Sequence, residues 1–225
     1  SDFLDFKNNY GIPIVCAHGS IGGHKVGLIG NNGPIDVDAS VKAAQFIQLC
    51  CQTDMPIIYL QNITGYMVGV EAERGGIVKH GAKMIQAVAN ASVPQLTVVL
   101  GGSFGAGNYG MCGRGFDPRF IFSWPNARTA VMGGEQAAKV MEIITTAKLE
   151  RKGMSPDPEF LKGMSDHIIN QVDKQSTATF STARLWDDGI IDPRDTRKVL
   201  AYCLSICRDA QERELHPNSF GVGRM

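Results

Sequence analysis

A chain of 225 residues can bury a sizeable core in one large domain or two small ones. Apolar residues make up 44% and charged residues 20%, the proportions of an ordinary globular protein. The 22 Lys and Arg residues balance the 22 Asp and Glu residues, which excludes a global basic surface and gives no reason to expect a nucleic-acid partner. We find neither a signal peptide nor an apolar run long enough to span a bilayer, and expect no membrane partner.

The six cysteines stand in apolar or helical-looking segments, without the paired spacing that is typical of zinc sites. We therefore expect buried free thiols in a reducing compartment, and no metal in this domain. The chain begins with Ser1 rather than Met, and we expect it to be an excised part of a longer polypeptide.

The first predicted elements are a short helix and a β-hairpin. Apolar residues at positions 3, 4 and 6 follow Ser1 and Asp2, either of which is a suitable helix cap. Two strand-like runs, at 12–18 and 25–31, are separated by a glycine pair and predict the hairpin.

Residues 36–51 are predicted to form an amphipathic helix, because their apolar positions are spaced three and four apart. Asp36 or Asp38 stands near its start. A short buried strand at 56–60 comes next, and a helix over 77–91 follows a glycine-containing segment.

The unit of strand, glycine loop and helix is then repeated. A β-branched run at 96–100 predicts a buried strand. Residues 101–115 contain seven glycines and predict a loop that opens onto a helix. Because parallel strands joined by helices place their loops at one edge of a sheet, we expect this loop and the one at 61–76 to face the same pocket.

The remainder of the chain is predicted to be mostly helical and more charged. Gly189 is expected to cap the helix that precedes it. The predicted elements are strands at 120–122 and 127–132 and helices at 135–151, 161–175, 182–186 and 196–210.

The glycine-rich segment is suited to the stabilisation of negative charge. The backbone N–H groups of Ala106 and Gly107, at the expected start of a helix, can jointly bind a carbonyl oxygen as it becomes an enolate. Each such donor is typically worth ~3 kcal/mol in the transition state. Thr64, Gly65 and Tyr66 are expected to form the opposing wall or a second binding loop.

A second interpretation makes Ser103 the nucleophile of a serine hydrolase. Residues 101–105 match the G-x-S-x-G elbow, after a strand and before a helix. The fit is poor, because the available acids and histidines lie on a charged helix or in a polar tail, and an elbow does not need the additional glycines. These candidate partners are Asp166, Asp173, His167 and His216.

His80 and three arginines offer further polar chemistry near the glycine segments. His80, near the start of a helix, can act as a general base or, more simply, as a structural residue of the helix face. Arg114, Arg119 and Arg128 could together bind a phosphate or carboxylate, although a solvated or ion-paired surface is the simpler interpretation.

Six motifs occur in order along the chain: QNITGYMVG from Gln61, GGIVKHGAK from Gly75, GSFGAGNYGMCGR from Gly102, WPNAR from Trp124, VMGGEQAA from Val131 and ARLWDDG from Ala183. Together they resemble the carboxyltransferase (β) subunit of biotin-dependent acyl-CoA carboxylases, in the methylcrotonyl-CoA and geranyl-CoA carboxylase branch. The resemblance covers nearly the whole chain and implies that residues 1–225 are an acyl-CoA carboxyltransferase C-terminal domain.

The resemblance implies an α/β, crotonase-like fold of repeated strand-strand-helix units with a helical C-terminal extension. It implies that Ala106 and Gly107 form an oxyanion hole for the ureido carbonyl of carboxybiotin as carbon dioxide leaves. The resulting biotin enolate would take the proton from the acyl-CoA, so that no side-chain base is needed and Ser103 is structural. The implied cofactor-binding residues are Phe104, Gly105, Asn108, Tyr109, Thr64, Gly65, Tyr66, Gly75 and Gly76.

The resemblance also implies partners. Carboxybiotin would arrive on the biotin carrier of a partner α subunit that contains the biotin carboxylase, and an N-terminal half outside this chain would bind the coenzyme A thioester. Halves of two subunits would face each other, so we expect a homo-oligomer, a dimer at least and commonly a hexamer. The implied location is the cytoplasm in a bacterium and the mitochondrial matrix in a eukaryote.

Two departures from the family pattern concern the acyl group. Gly223 stands where a bulkier residue is expected, and residues 152–178 also differ. The implied substrate is a branched enoyl-CoA, 3-methylcrotonyl-CoA first and geranyl-CoA next. A further interpretation is that the isolated chain is a non-catalytic binding and oligomerisation module.

Overall fold

The computed structural model describes residues 3–31, 33–214 and 216. The strands of this part are Leu4–Asp5 (β1), Ile14–Ile21 (β2), His24–Asn31 (β3), Ile57–Ile63 (β4), Gln95–Phe104 (β5), Phe120–Ser123 (β6) and Arg128–Ala130 (β7). Its α-helices are Val37–Gln52 (α1), Val70–Arg74 (α2), Ile77–Ala89 (α3), Gly105–Gly110 (α4), Gly134–Glu150 (α5), Pro158–Gln175 (α6), Ala178–Thr182 (α7) and Thr196–Glu212 (α8).

The described strands form one sheet in the order β1-β2-β3-β4-β5-β6, with β7 beside the end of β5. β1, β2 and β3 are antiparallel, which confirms the predicted hairpin. From β3 onwards the neighbouring strands are parallel, so the carboxyl ends of β4 and β5 lie at the same edge. The predicted α/β class, with helices following the sheet at the C-terminal side, is therefore confirmed.

Helices cover both faces of the central strands. On one face, α1 and α3 bury an apolar cluster around Phe46 and Met84. On the other face, α8 packs Leu200 and Leu204 against β3, β4 and β5. Burial on both faces explains why the central strands read as nearly continuous apolar runs in the sequence.

The predicted amphipathic helix at 36–51 is confirmed as α1. Asp36 is its N-cap, and its Oδ1 accepts a hydrogen bond from the Ala39 N–H at 2.7 Å. Because an N-cap side chain satisfies an N–H group that has no partner within the helix, this bond determines where α1 begins.

Two predictions about the first half of the chain are wrong. Residues 4 and 5 form β1, paired with Ala17 and His18, and not a helix; the proposed caps Ser1 and Asp2 lie outside the described residues. The predicted loop at 101–115 begins too early, because β5 continues to Phe104. Pairing of Ser103 with Ile63 on one side and Thr129 on the other supplies the ladder that keeps these glycine-rich residues extended.

The segment after α6 also differs from its prediction. The helix there is α7, Ala178–Thr182, and Leu185 at φ 59° turns the chain out of helical geometry. The buried Asp187 carboxylate accepts hydrogen bonds of 2.7 Å from Ser123 Oγ and Thr182 Oγ1, which folds this segment back onto β6. Gly189 therefore caps no helix, and its carbonyl oxygen accepts from the Ser123 N–H instead.

All six cysteines are free, and five of them are buried, so the prediction of buried free thiols is confirmed except at the partly exposed Cys51. Burial raises the pKa of the Cys16, Cys50 and Cys112 thiols to about 12. Within the described residues, no helix has the length and apolarity that crossing a bilayer requires.

The thiols provide a test of the fold. Because the thiolate is the reactive form and the buried thiols stay protonated, we expect Cys51 alone to react rapidly with Ellman's reagent at pH 8 in the folded chain. Cys51→Ser should remove this fast phase, and all the remaining thiols should react in guanidinium chloride. Rapid reaction of a second thiol in the folded chain would show that the core described above is not closed.

Candidate active site

The candidate site is an apolar cleft at the carboxyl edge of the parallel strands. It has a volume of about 300 Å³ and lies between α3 and the segments that follow β4 and β5. Tyr66 and Ala106 contribute from those two segments, while Ile77, Gly81 and Ile85 line it from α3. The prediction that the two glycine-containing segments face one pocket is thus confirmed by the geometry.

Helix α4 begins directly at the end of β5. Gly105 is its first residue, and its φ of 56° lies in the left-handed region, where a Cβ would be strained. The N-cap Phe104 provides no side-chain hydrogen bond. The first-turn N–H groups, including those of Ala106 and Gly107, consequently have no acceptor within the helix and can bind an anionic oxygen.

The missing side chains of α4 allow close contact with the segment after β4. A Cβ on Gly107 would lie 2.5 Å from Ile63 Cγ1 and 3.1 Å from Gly65 Cα. A Cβ on Gly110 would overlap the Tyr66 hydroxyl group. Gly107 therefore faces the protein interior, and it is the exposed Ala106 whose side chain reaches the cleft. A larger residue at 107 would therefore clash with Ile63 and Gly65 in the interior rather than fill the cleft.

Tyr66 is held between two glycines, with its ring against Gly81 of α3 and Gly110 of α4. Its hydroxyl group is buried and has no hydrogen-bond partner among the described residues. Burial raises the pKa of the Tyr66 phenol well above its usual value, so this group stays protonated at physiological pH.

Ser103 points away from the cleft into the sheet interior. It is fully buried, and its Oγ donates to Gln61 Oε1 at 2.6 Å and accepts from Asn108 Nδ2 at 2.7 Å. His167 and His216 are both exposed, and neither is a described partner of Ser103. A nucleophilic serine needs an accessible hydroxyl and a neighbouring base, so the geometry removes the hydrolase interpretation.

The other predicted binding residues do not all reach the cleft. Asn108 is turned inward to Ser103, and half-exposed Tyr109 packs edge-on against Phe116. The Phe104 ring lies over Gly102, where a Cβ would come within 2.9 Å of it.

The remaining predicted residues flank the cleft. Thr64 and Gly65 continue from β4 at its edge, and Thr64 is exposed. Gly75 is the C-cap of α2 and Gly76 the N-cap of α3, so this pair forms the turn beside the cleft without lining it. Binding of biotin by the nine predicted cofactor residues stays a prediction.

The additional polar candidates do not converge on the cleft. His80 lies beside Gly76 and lines the groove between α1 and α3, with its buried Nδ1 unpaired among the described residues. Arg114 lies 3.5 Å from Asp188, Arg128 donates to the Asp173 carbonyl oxygen at 2.7 Å, and Arg119 contacts Cys207. The arginines thus have three separate protein partners, and the interpretation as a shared anion site is wrong. The described residues contain no cluster of three side chains that could bind a metal ion.

Two carboxamides at the end of β4 were not among the predicted site residues. The register between β4 and β5 shifts between Gln61 and Ile63, and the side chains of Gln61 and Asn62 both bond to residues of β5 there. Asn62 Oδ1 accepts a hydrogen bond from the Gly102 N–H at 3.0 Å. The backbone N–H of Asn62 donates to Asn31 Oδ1 at 2.8 Å. Consecutive carboxamides at the end of a buried strand are a signal that could have identified them.

Comparison with known proteins agrees with the motif order. A family profile described as the carboxyl transferase domain matches residues 1–222. The biotin-dependent 3-methylcrotonyl-coenzyme A carboxylase beta1 subunit of Mycobacterium tuberculosis is 49% identical over 225 residues, which are 100% of this chain and 42% of that protein.

Solved structures agree as well. The geranyl-CoA carboxylase beta subunit of P. aeruginosa has a TM-score of 0.91 and 58% identity, covering 100% of this chain and 42% of its own. Transcarboxylase 12S, described as a hexamer assembly with hydrolysed methylmalonyl-coenzyme A bound, has a TM-score of 0.81 and 33% identity, covering 98% of this chain and 42% of its own. These similarities confirm the crotonase-like fold class, and the chain spans about two fifths of each of these proteins.

The packing of Tyr66 between glycines predicts a specific coupling. We expect Gly110→Ala to lower the free energy of unfolding by about 1–3 kcal/mol, because its Cβ would overlap the Tyr66 hydroxyl group. Tyr66→Phe by itself should be nearly neutral, since it removes a buried hydroxyl that has no described partner.

The double variant should recover part of the loss in urea denaturation, because the hydroxyl that clashes is gone. Gly163→Ala on α6, where a Cβ meets no atom within 4 Å, is a matched control that should cause no loss. Equal effects of Gly110→Ala with and without the Tyr66 hydroxyl would contradict the described contact.

Proposed function

The chain belongs to the carboxyl transferase domain family, and from this premise we propose that it is the carboxybiotin-binding half of the carboxyltransferase in a biotin-dependent acyl-CoA carboxylase. The observation that carries the proposal is the start of α4, where free first-turn N–H groups adjoin an apolar cleft. The family resemblance assigns this segment to the biotin side of the site. The geometry supports that assignment because Ala106 reaches the cleft.

The cleft residues fit such a group. Bound carboxybiotin supplies the carboxyl group, which is attached to a ureido nitrogen beside the ureido carbonyl. Ala106 and Gly107 would donate their N–H groups to that carbonyl oxygen, where negative charge develops as the carboxyl group leaves. The apolar side chains Ile77 and Ile85 would shield these hydrogen bonds from water and so strengthen them.

The cleft offers no well-placed side-chain base. Glu73 and Tyr66 are its titratable lining residues among those described. Glu73 is exposed on the short helix α2, and the raised pKa of Tyr66 keeps its phenol protonated. These residues therefore bind and orient, which supports the expectation that the proton of the acyl-CoA is not taken by a side chain of this chain.

We propose a branched enoyl-CoA as the carboxyl acceptor, because the similar proteins are named for 3-methylcrotonyl-CoA and geranyl-CoA. The acceptor would be bound by an N-terminal half of the subunit, and carboxybiotin would come from a partner α subunit. A homo-oligomer brings such halves together, and the hexamer described for transcarboxylase 12S supports that assembly. Residues 152–178 fall mainly on α6, which packs against α5, whereas Gly223 lies outside the described residues.

A proline substitution tests the N–H donor directly. Ala106 is the second residue of α4, where proline removes an N–H group without removing a helix hydrogen bond. In the complete subunit assembled with its biotin-bearing partner, Ala106→Pro should lower kcat for carboxyl transfer by about 100- to 1,000-fold.

The matched control is Glu135→Pro, at the second residue of α5 and outside the cleft, which should leave kcat unchanged. Circular dichroism and thermal unfolding establish that both variants are folded. Normal turnover by a folded Ala106→Pro enzyme would remove this N–H group from the mechanism.

A further inference from the structure

A closed ring of hydrogen bonds lies beneath α4, on the side away from the cleft. Asn108 Nδ2 donates to Ser103 Oγ at 2.7 Å, and Ser103 Oγ donates to Gln61 Oε1 at 2.6 Å. Gln61 Nε2 then donates to the carbonyl oxygens of Met111 at 2.6 Å and Asn108 at 3.4 Å. The ring joins the last turn of α4 to the ends of both central strands, β4 and β5.

Every hydrogen in this ring has a single possible direction. The Asn108 amide nitrogen can only donate, so Ser103 must direct its one hydrogen to Gln61 Oε1. The Gln61 amide nitrogen is thereby turned towards the two carbonyl groups. If the Gln61 amide were rotated by half a turn, its oxygen would face the carbonyl oxygens of Met111 and Asn108, which cannot donate. Ser103 would then face the Gln61 amide nitrogen and lose its acceptor. The ring therefore connects the last turn of α4 to both strands through one consistent set of donors and acceptors.

Helix α4 needs such an external constraint. It spans only Gly105–Gly110, has no side-chain cap, and has glycine as three of its six residues. Glycine disfavours helix and leaves the backbone free to move. Gln61 and Ser103 are fully buried and do not line the cleft, so they hold the helix without contacting what the cleft binds.

We infer that Gln61, Ser103 and Asn108 are positioning residues, which fix the direction of the Ala106 and Gly107 N–H groups at the cleft. This inference rests on the proposed function, which assigns those N–H groups to transition-state stabilisation. An oxyanion site must be aligned to within about 0.5 Å, and a displacement of about 1 Å can reduce the rate 100-fold. Disruption of the ring should consequently lower kcat more than it affects substrate binding.

Ser103→Ala in the assembled full-length enzyme opens the ring at two bonds. Tyr59→Phe is the matched control. It removes another buried hydroxyl-to-carboxamide hydrogen bond between β4 and β5, from Tyr59 to Gln95 Oε1 at 2.8 Å, which lies away from α4. We expect similar decreases of Tm for the two variants. Ser103→Ala should lower kcat by about 10- to 100-fold with KM for the acyl-CoA changed less than about twofold, and Tyr59→Phe should retain kcat.

Two further variants make the result specific. Ser103→Thr keeps the hydroxyl and suits a strand, so it should restore most of kcat. Asn108→Asp, at a partly buried position, replaces the donor Nδ2 with an acceptor and should reproduce the loss of kcat even if Ser103→Ala does not fold.

If Ser103→Ala or Asn108→Asp matches Tyr59→Phe in kcat, the ring is only structural and the inference is wrong. If the unsubstituted enzyme moves no carboxyl group from biotin to an acyl-CoA, the proposed function is wrong, and the inference fails with it. The rate of the unsubstituted enzyme thus distinguishes the two failures.

Discussion

The close contact of α4 with the end of β4 is the constraint on which the rest of the site depends. Gly107 and Gly110 lie against Ile63 and Tyr66, which already occupy the space that a side chain would need. The same glycines make α4 a poor helix by itself. Its orientation is therefore a result of packing and hydrogen bonding from its neighbours, and not of local propensity.

Polar and apolar contacts are separated onto two sides of this short helix. On the inner side, Gln61 and Ser103 satisfy each other and the last turn of α4 in a region that excludes water. On the outer side, Ala106 and Tyr66 face an apolar cleft with few competing polar groups. Hydrogen bonds on the inner side are strong because they are buried. The N–H groups on the outer side remain available to a ligand because the cleft has few polar groups that could bind them.

Elements that depend on local signals were predicted correctly from the sequence, and elements that depend on distant partners were not. Helix α1 and the β2–β3 hairpin were predicted correctly because periodicity, an N-cap aspartate and a glycine pair are local signals. Residues 4 and 5, and the segment after α7, were assigned wrongly because distant partners decide them. The buried Asp187 pairs with Ser123, 64 residues away, and no pattern around Asp187 indicates that contact.

The amino-acid sequence by itself determined the family, the α/β class and the two segments that form the cleft, through motif order, periodicity and glycine spacing. Tertiary structure alone decided which way the residues of those segments point. Ser103 is turned into the sheet as a hydrogen-bond link, and Ala106, not Gly107, is turned towards the cleft. The physical reason is that strand register and helix rotation are set by partners distant in sequence, so the same local motif is compatible with either orientation until the chain is packed.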